Sequence, residues 1–198
     1  MLLQPARLAV EAEIGPMIIA IAHTFFFLFR PDTIAGPTSP YRPPPPWYIR
    51  PHYPSSVEVI GIDASLGMLR YARTEVDRLG KPAEVLQMDA EHLAFADRTF
   101  DSVAFNLCLC TIPNPERAIR EAIRVARPGA PMIFLEHVRS HVLPVAVLQE
   151  VMNPVLVALQ GDHFNRRTAE IVERSGVKVV SIDRWALGFF NLIAGQAP

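Results

Sequence analysis

Between Pro31 and Pro54 the chain carries nine of its nineteen prolines, four of them consecutive at Pro43 to Pro46. Proline fixes φ and has no N–H to donate, so this stretch can form neither a helix nor a central strand. An extended, polyproline-II-like segment that proteases cut readily is expected. The block divides the chain into two regions. Residues 1–54 form an atypical segment, apolar and then proline-rich, and residues 55–198 form one domain of a size that sustains a single core.

The apolar run ahead of the prolines, Ile14 to Phe29 ("IGPMIIAIAHTFFFLF"), is shorter than the ~20 residues that span a bilayer. It is also interrupted by Gly15, Pro16 and His23. As a leader it lacks the usual basic start, since only Arg7 precedes it, with Glu11 and Glu13 close by. A buried segment is the first reading and interfacial association the second. Lys plus Arg number 19 against 20 Asp plus Glu, which leaves no basic excess for nucleic acid. Cys108 and Cys110 lie two apart, on one face if they sit in a strand, too close for an ordinary disulfide. They read as buried free thiols of a reducing compartment. A cytoplasmic location is expected, with peripheral membrane contact as a further expectation. Two thiols, or His137 and His141 four apart, supply too few ligands for a metal site, and none is expected.

From Val57 onward strands and helices alternate. Val57–Asp63 is a short β-branched run and reads as a buried strand. Ser65 can cap a helix reaching about Leu79, with Met68, Leu69, Ala72 and Val76 along one stripe. Strands are expected at Ala83–Met88, Phe100–Leu109 and Met132–Glu136. Asn114 and Pro115 open a helix that runs to about Ala126. An amphipathic stretch covers Pro144–Leu159, and a helix capped by Asn165 runs to Ser175 and is closed by Gly176. Val177–Ile182 and Ala186–Ile193 suit a closing antiparallel pair. This order implies an α/β sheet with helices on both faces.

In such sheets ligands bind beyond the carboxyl ends of the strands. Asp63 ends the first clear strand, where a carboxylate can accept hydrogen bonds from both hydroxyls of a ribose. Asp89 ends the next, in "QMDAEHL", where it can accept from an exocyclic amine while the Ala90 N–H meets a ring nitrogen. Two acids on successive strands suggest an adenine nucleoside. A nicotinamide-dependent oxidoreductase would use Asp63 in the same way but has no role for Asp89.

The stretches "VIGIDASLGMLRYAR", "QMDAEHLAFADRTFDSVAFNLCLCTIPNPERAIREAIRVARPGAPMIFLEHVRS" and "GDHFNRRTAEIVERSGV" resemble class I S-adenosylmethionine-dependent methyltransferases. The branch they resemble contains the ubiquinone/menaquinone C-methyltransferases and phospholipid N-methyltransferase-like enzymes. The resemblance runs from about Arg50 to the C-terminus. It implies a Rossmann-like sheet, S-adenosylmethionine as cofactor, and a small-molecule or lipid-like methyl acceptor. It implies that Asp63 holds the ribose hydroxyls, that Asp89 and Ala90 hold adenine, that Asn106 and Leu107 line the methionine end, and that Ala64 belongs to the same cofactor site. It names no catalytic residue, because in-line methyl transfer depends on positioning more than on acid–base chemistry. Glu136 or His137 as a base, and Arg166 as an anion contact, are readings left open.

The family places a glycine-rich loop after its first strand, where backbone N–H groups approach the cofactor. This chain has no G-x-G; its closest glycines, Gly61 and Gly67, are six apart. "PYRPPPPWYIRPHYP" stands in the loop's place, as if the upstream codons were read in another frame. The first strand and its loop are therefore missing or replaced, with Met17–Ala22 ("MIIAIA") as a surrogate for the central strand. Either the activity is impaired, or the domain is a non-catalytic relative that has lost its cofactor.

Overall fold

The computed structural model describes residues 17–22, 58–79 and 83–198, the first of these at the level of backbone pairing. The proline-rich stretch and the place of the glycine-rich loop lie outside the described residues. The strands are β1 (Met17–Ala22), β2 (Glu58–Asp63), β3 (Ala83–Gln87), β4 (Ser102–Asn106), β5 (Pro131–His137), β6 (Lys178–Trp185) and β7 (Phe190–Gln196). The helices are α1 (Leu66–Leu79), α2 (Pro115–Val125), α3 (Leu143–Gln160) and α4 (Thr168–Arg174), with a 3-10 turn at Ala186–Gly188.

The strands form one seven-stranded sheet in the order β3-β2-β1-β4-β5-β7-β6. β1 to β5 run parallel, and β7 pairs antiparallel with both β5 and β6. The central slot is filled by "MIIAIA", as the sequence suggested. Ile19 pairs with Ile60 of β2 on one side and Val103 of β4 on the other. A sheet lacking that strand would have exposed two inner edges.

Alternation along the strands sends side chains to two layers. Ile60, Ile62, Val103, Phe105, Met132, Phe134 and Ile193 bury on one face. There they meet Ala118, Ile119, Ala122 and Val125 of α2 and Val172 of α4. The i, i+1, i+4, i+7 spacing on α2 gives it one apolar side. Val85 on the opposite face meets Leu69 and Ala72 of α1. Phe105 and Phe134 stack with ring centroids 5.0 Å apart. Truncating Phe134 would cost about 3–5 kcal/mol.

Local signals set most boundaries. Asn114 Oδ1 accepts the Arg117 N–H at 3.0 Å, with Pro115 in the first turn. Ser65 Oγ accepts the Met68 N–H at 3.4 Å, a long cap contact. Three expectations need correction. The fourth strand ends at Asn106, so Cys108 and Cys110 lie in the following turn and share no strand face. Asn165 does not cap α4, which begins at Thr168; its Nδ2 donates to Glu150 Oε2 at 2.7 Å. The last strand starts at Phe190 because Ala186 and Leu187 adopt left-handed φ values of 49° and 57°, which breaks the extended run. Among the described residues no helix is long and apolar enough to cross a membrane.

Candidate functional site

The carboxyl ends of β2 and β3 open onto a cleft lined by Ile62, Asp63, Ala64, Met88, Asp89, Ala90, Cys108, Thr111, Ile112 and Pro113. Parallel pairing puts Asp63 opposite Gln87, so Asp89 lies just past the end of the neighbouring strand. Four of the expected cofactor residues, Asp63, Ala64, Asp89 and Ala90, thus line one cleft. Asn106 and Leu107 lie at the end of β4, beside Cys108, and are not among its lining residues.

Asp63 is 2% exposed although it ends a strand at the cleft. Its Oδ1 accepts the Ser65 N–H at 2.7 Å, which turns the chain into α1. Asp89 is more open. Its Oδ1 accepts the Glu91 N–H at 2.9 Å and its Oδ2 lies 3.2 Å from His92 Nδ1. The Glu91 N–H, followed by His92, holds its carboxyl below the ordinary value. Between the two acids the walls are apolar, formed by Ile62, Met88, Ile112 and Pro113. Carboxylate acceptors beside apolar walls suit a ligand that carries both hydroxyls and an apolar ring.

The loop after Asp89 is held from behind by Arg124. Its guanidinium donates to the carbonyls of Leu93 (2.8 Å) and Phe95 (2.9 Å), to Asp97 (2.7 Å) and to Glu121 (2.8 Å). Glu121 in turn accepts the Leu93 N–H at 2.9 Å. The bond from Arg124 holds the Glu121 carboxyl below its ordinary value. On the other wall, Arg166 Nη1 donates to the carbonyls of Leu109 and Ile112, so it braces the cleft instead of meeting an anion.

Sequence reasoning missed Cys108, Thr111, Ile112 and Pro113 as cleft residues, and Glu136 as the anchor of their turn. Glu136 is fully buried, and its Oε1 accepts the N–H groups of Cys108 (3.0 Å) and Leu109 (3.1 Å). Its position at a strand's carboxyl end was the available signal. His137 is 1% exposed, stacked on Phe164 at 4.5 Å and 3.3 Å from Asp162. Neither Glu136 nor His137 lines the cleft. Cys110, His137 and Asp162 bring ligand-type atoms within 4.8 Å of one another, all buried. Burial, then the nearby Glu136 and Asp162 carboxylates, pushes the Cys110 thiol up, so it stays protonated at neutral pH.

Residues 48–134 match the family described as "Methyltransferase domain". Over those residues the chain is similar to a methyltransferase domain. Over 104 residues it is 38% identical to a phosphatidylethanolamine N-methyltransferase from Cereibacter sphaeroides, covering 52% of this chain and 51% of that protein. Over 110 residues it is 34% identical to a demethylmenaquinone methyltransferase from Porphyromonas gingivalis, covering 48% and 45%. The chain thus spans about half the length of these curated relatives. The chain also shares its fold with a SAM-dependent methyltransferase from Methanosarcina mazei. The TM-score is 0.67 at 17% identity, over 94% of this chain and 95% of that one.

Proposed function

We propose that the methyltransferase domain binds S-adenosylmethionine in the β2–β3 cleft and transfers its methyl group to a small-molecule or lipid-like acceptor. The observation that carries this reading is the pairing of Asp63 and Asp89 at the ends of adjacent strands on one apolar-walled cleft. When bound, the cofactor supplies a methyl group on a sulfonium, which makes that carbon electrophilic. Asp63 accepts from the ribose hydroxyls, and Ala64 lines the cofactor site beside it. Asp89 accepts from the adenine amine, and the Ala90 N–H meets the ring. Asn106 and Leu107 lie towards the methionine end. Domain limits at 54 and 55 follow from the same reading.

The likeness to lipid and quinone methyltransferases supports an acceptor that lives at a membrane, and hence peripheral contact with one. The proline-rich sequence between β1 and β2 favours a second reading, a domain that keeps the fold and has lost tight cofactor binding. Calorimetry with S-adenosylhomocysteine separates the two. Saturable binding that Asp63→Ala abolishes supports the site; no binding by the parent at millimolar ligand favours the non-catalytic domain.

A further inference from the structure

Helix α3 is inside-out. Gln149 and Asn153 face the protein, while most of its large apolar side chains face away. Gln149 is buried, accepting the Ser140 N–H at 2.7 Å and donating to the carbonyls of Val138 (2.9 Å) and Phe164 (2.8 Å). Asn153 follows one turn later on the same side and is half-buried. On the opposite side Leu143, Val147, Val151, Val155 and Leu159 step along the helix, each between 50% and 70% exposed. At about 100° per residue they sweep nearly half the circumference. Leu148 and Met152, also exposed, fill the rest of that half. The helix's one charged side chain, Glu150, lies at the border. Its two oxygens are taken by Arg139 Nε (3.1 Å) and Asn165 Nδ2 (2.7 Å).

A surface helix normally turns its apolar stripe to the core. An exposed apolar face of this extent marks an interaction surface. Leu187, 65% exposed, is held at a left-handed φ of 57° near the start of the helix. The Leu187 carbonyl accepts from Ser140 Oγ, beside the start of α3.

We propose that the outer face of α3, with Leu187, docks on the surface of a neutral phospholipid bilayer. This rests on the reading that the acceptor is lipid-like. Protein interfaces carry about ten hydrogen bonds and a polar rim, and this face offers no side chain to make them. It also has no Lys or Arg, so attraction to anionic lipid is not its source of affinity. Eighteen residues make a helix of about 27 Å. With one side polar and bonded to the protein, it lies in the interface plane and does not span. α3 follows β5 at the carboxyl edge of the sheet, so docking holds the edge that bears the cleft against the membrane.

The test is flotation of the full chain with phosphatidylcholine vesicles. The chain is expected to float with the vesicles equally at low and high salt. Val147→Glu combined with Val151→Glu should lower the bound fraction about tenfold or more, with helix content by circular dichroism unchanged. A Leu148→Trp variant should be quenched by brominated phosphatidylcholine. Failure of the parent to float, binding only to anionic vesicles at low salt, or no quenching at position 148 would overturn the proposal. So would a dimer that the double variant dissociates without any vesicle binding. Titrating the same proteins with S-adenosylhomocysteine keeps the two readings separate. Flotation without cofactor binding leaves docking standing and removes methyl transfer.

Discussion

Glu136 Oε1 accepts the Leu109 N–H at 3.1 Å, from full burial at the end of β5. With the Cys108 N–H on the same oxygen, it fixes the turn that supplies one wall of the cleft. Burial pushes its carboxyl up from 4.5 to about 7. The folded pKa lies above the unfolded one, so the folded state holds this proton more tightly. The resulting stabilisation is complete below pH 4.5 and lost as pH rises through 7. Glu136→Gln keeps the acceptor oxygen and removes the titration. It should match the parent near pH 4.5 and exceed it above pH 7 by up to roughly 3 kcal/mol. Denaturant melts across this range check it; a parent that gains on the variant with rising pH contradicts the assignment.

Arg124 ties the Asp89 loop to α2 through the carbonyls of Leu93 and Phe95 and the carboxylate of Asp97. Arg124→Met should retain most of the packing of its stem and release those bonds. The melting midpoint should fall, by about 1–3 kcal/mol of stability given partial exposure. Any affinity for S-adenosylhomocysteine should fall with it, while Arg124→Lys recovers only part. Unchanged hydrogen exchange at residues 90–97 in the methionine variant would show that the guanidinium does not hold the loop.

β1 is paired on both sides, at Ile60 and Val103, through Ile19. Proline cannot donate to a ladder and is excluded from central strands. Ile19→Pro should therefore unfold the domain or lower its midpoint sharply, whereas the same change at an edge such as Val180 should be milder. Equal midpoints for parent and Ile19→Pro would remove β1 from the centre of the sheet.

The domain's α/β order was legible because capping and periodicity are local. Asn114 with Pro115, and the apolar stripe of α2, can be read within a dozen residues. The acids at the ends of β2 and β3 were legible because parallel sheets put ligands at those ends. What failed depended on contacts across the chain. Asn165 looked like a cap but bonds Glu150 on another helix. The strand through Phe105 stopped early because Glu136, 27 residues away, captures the backbone of the next turn. The inside-out α3 read as an ordinary amphipathic helix, since periodicity gives the stripe but not the side it faces.

The two acids should differ in weight. Asp63, at the proposed ribose position, is buried, and Asp89 is exposed and engaged by Glu91 and His92. Asp63→Ala should cost roughly 3 kcal/mol or more of S-adenosylhomocysteine binding, against about 1–2 for Asp89→Ala. Asp63→Asn, which retains one acceptor, should fall between. Calorimetry giving the two alanine variants equal affinity would remove the ribose and adenine assignments.

The account's central claim is that the cleft is a cofactor site weakened by the sequence between β1 and β2. Two or three lost backbone donors, at roughly 1–2 kcal/mol each, would weaken binding by about 10²- to 10⁴-fold. The direct measurement is S-adenosylhomocysteine affinity for the parent and for a chimera. In the chimera, residues 1–50 are replaced by a typical first strand, glycine-rich loop and helix. The account predicts weak binding by the parent, binding at least about a hundredfold tighter by the chimera, and loss of that gain on Asp63→Ala. Low-micromolar binding by the unmodified chain, or a chimera no tighter than its parent, would contradict it.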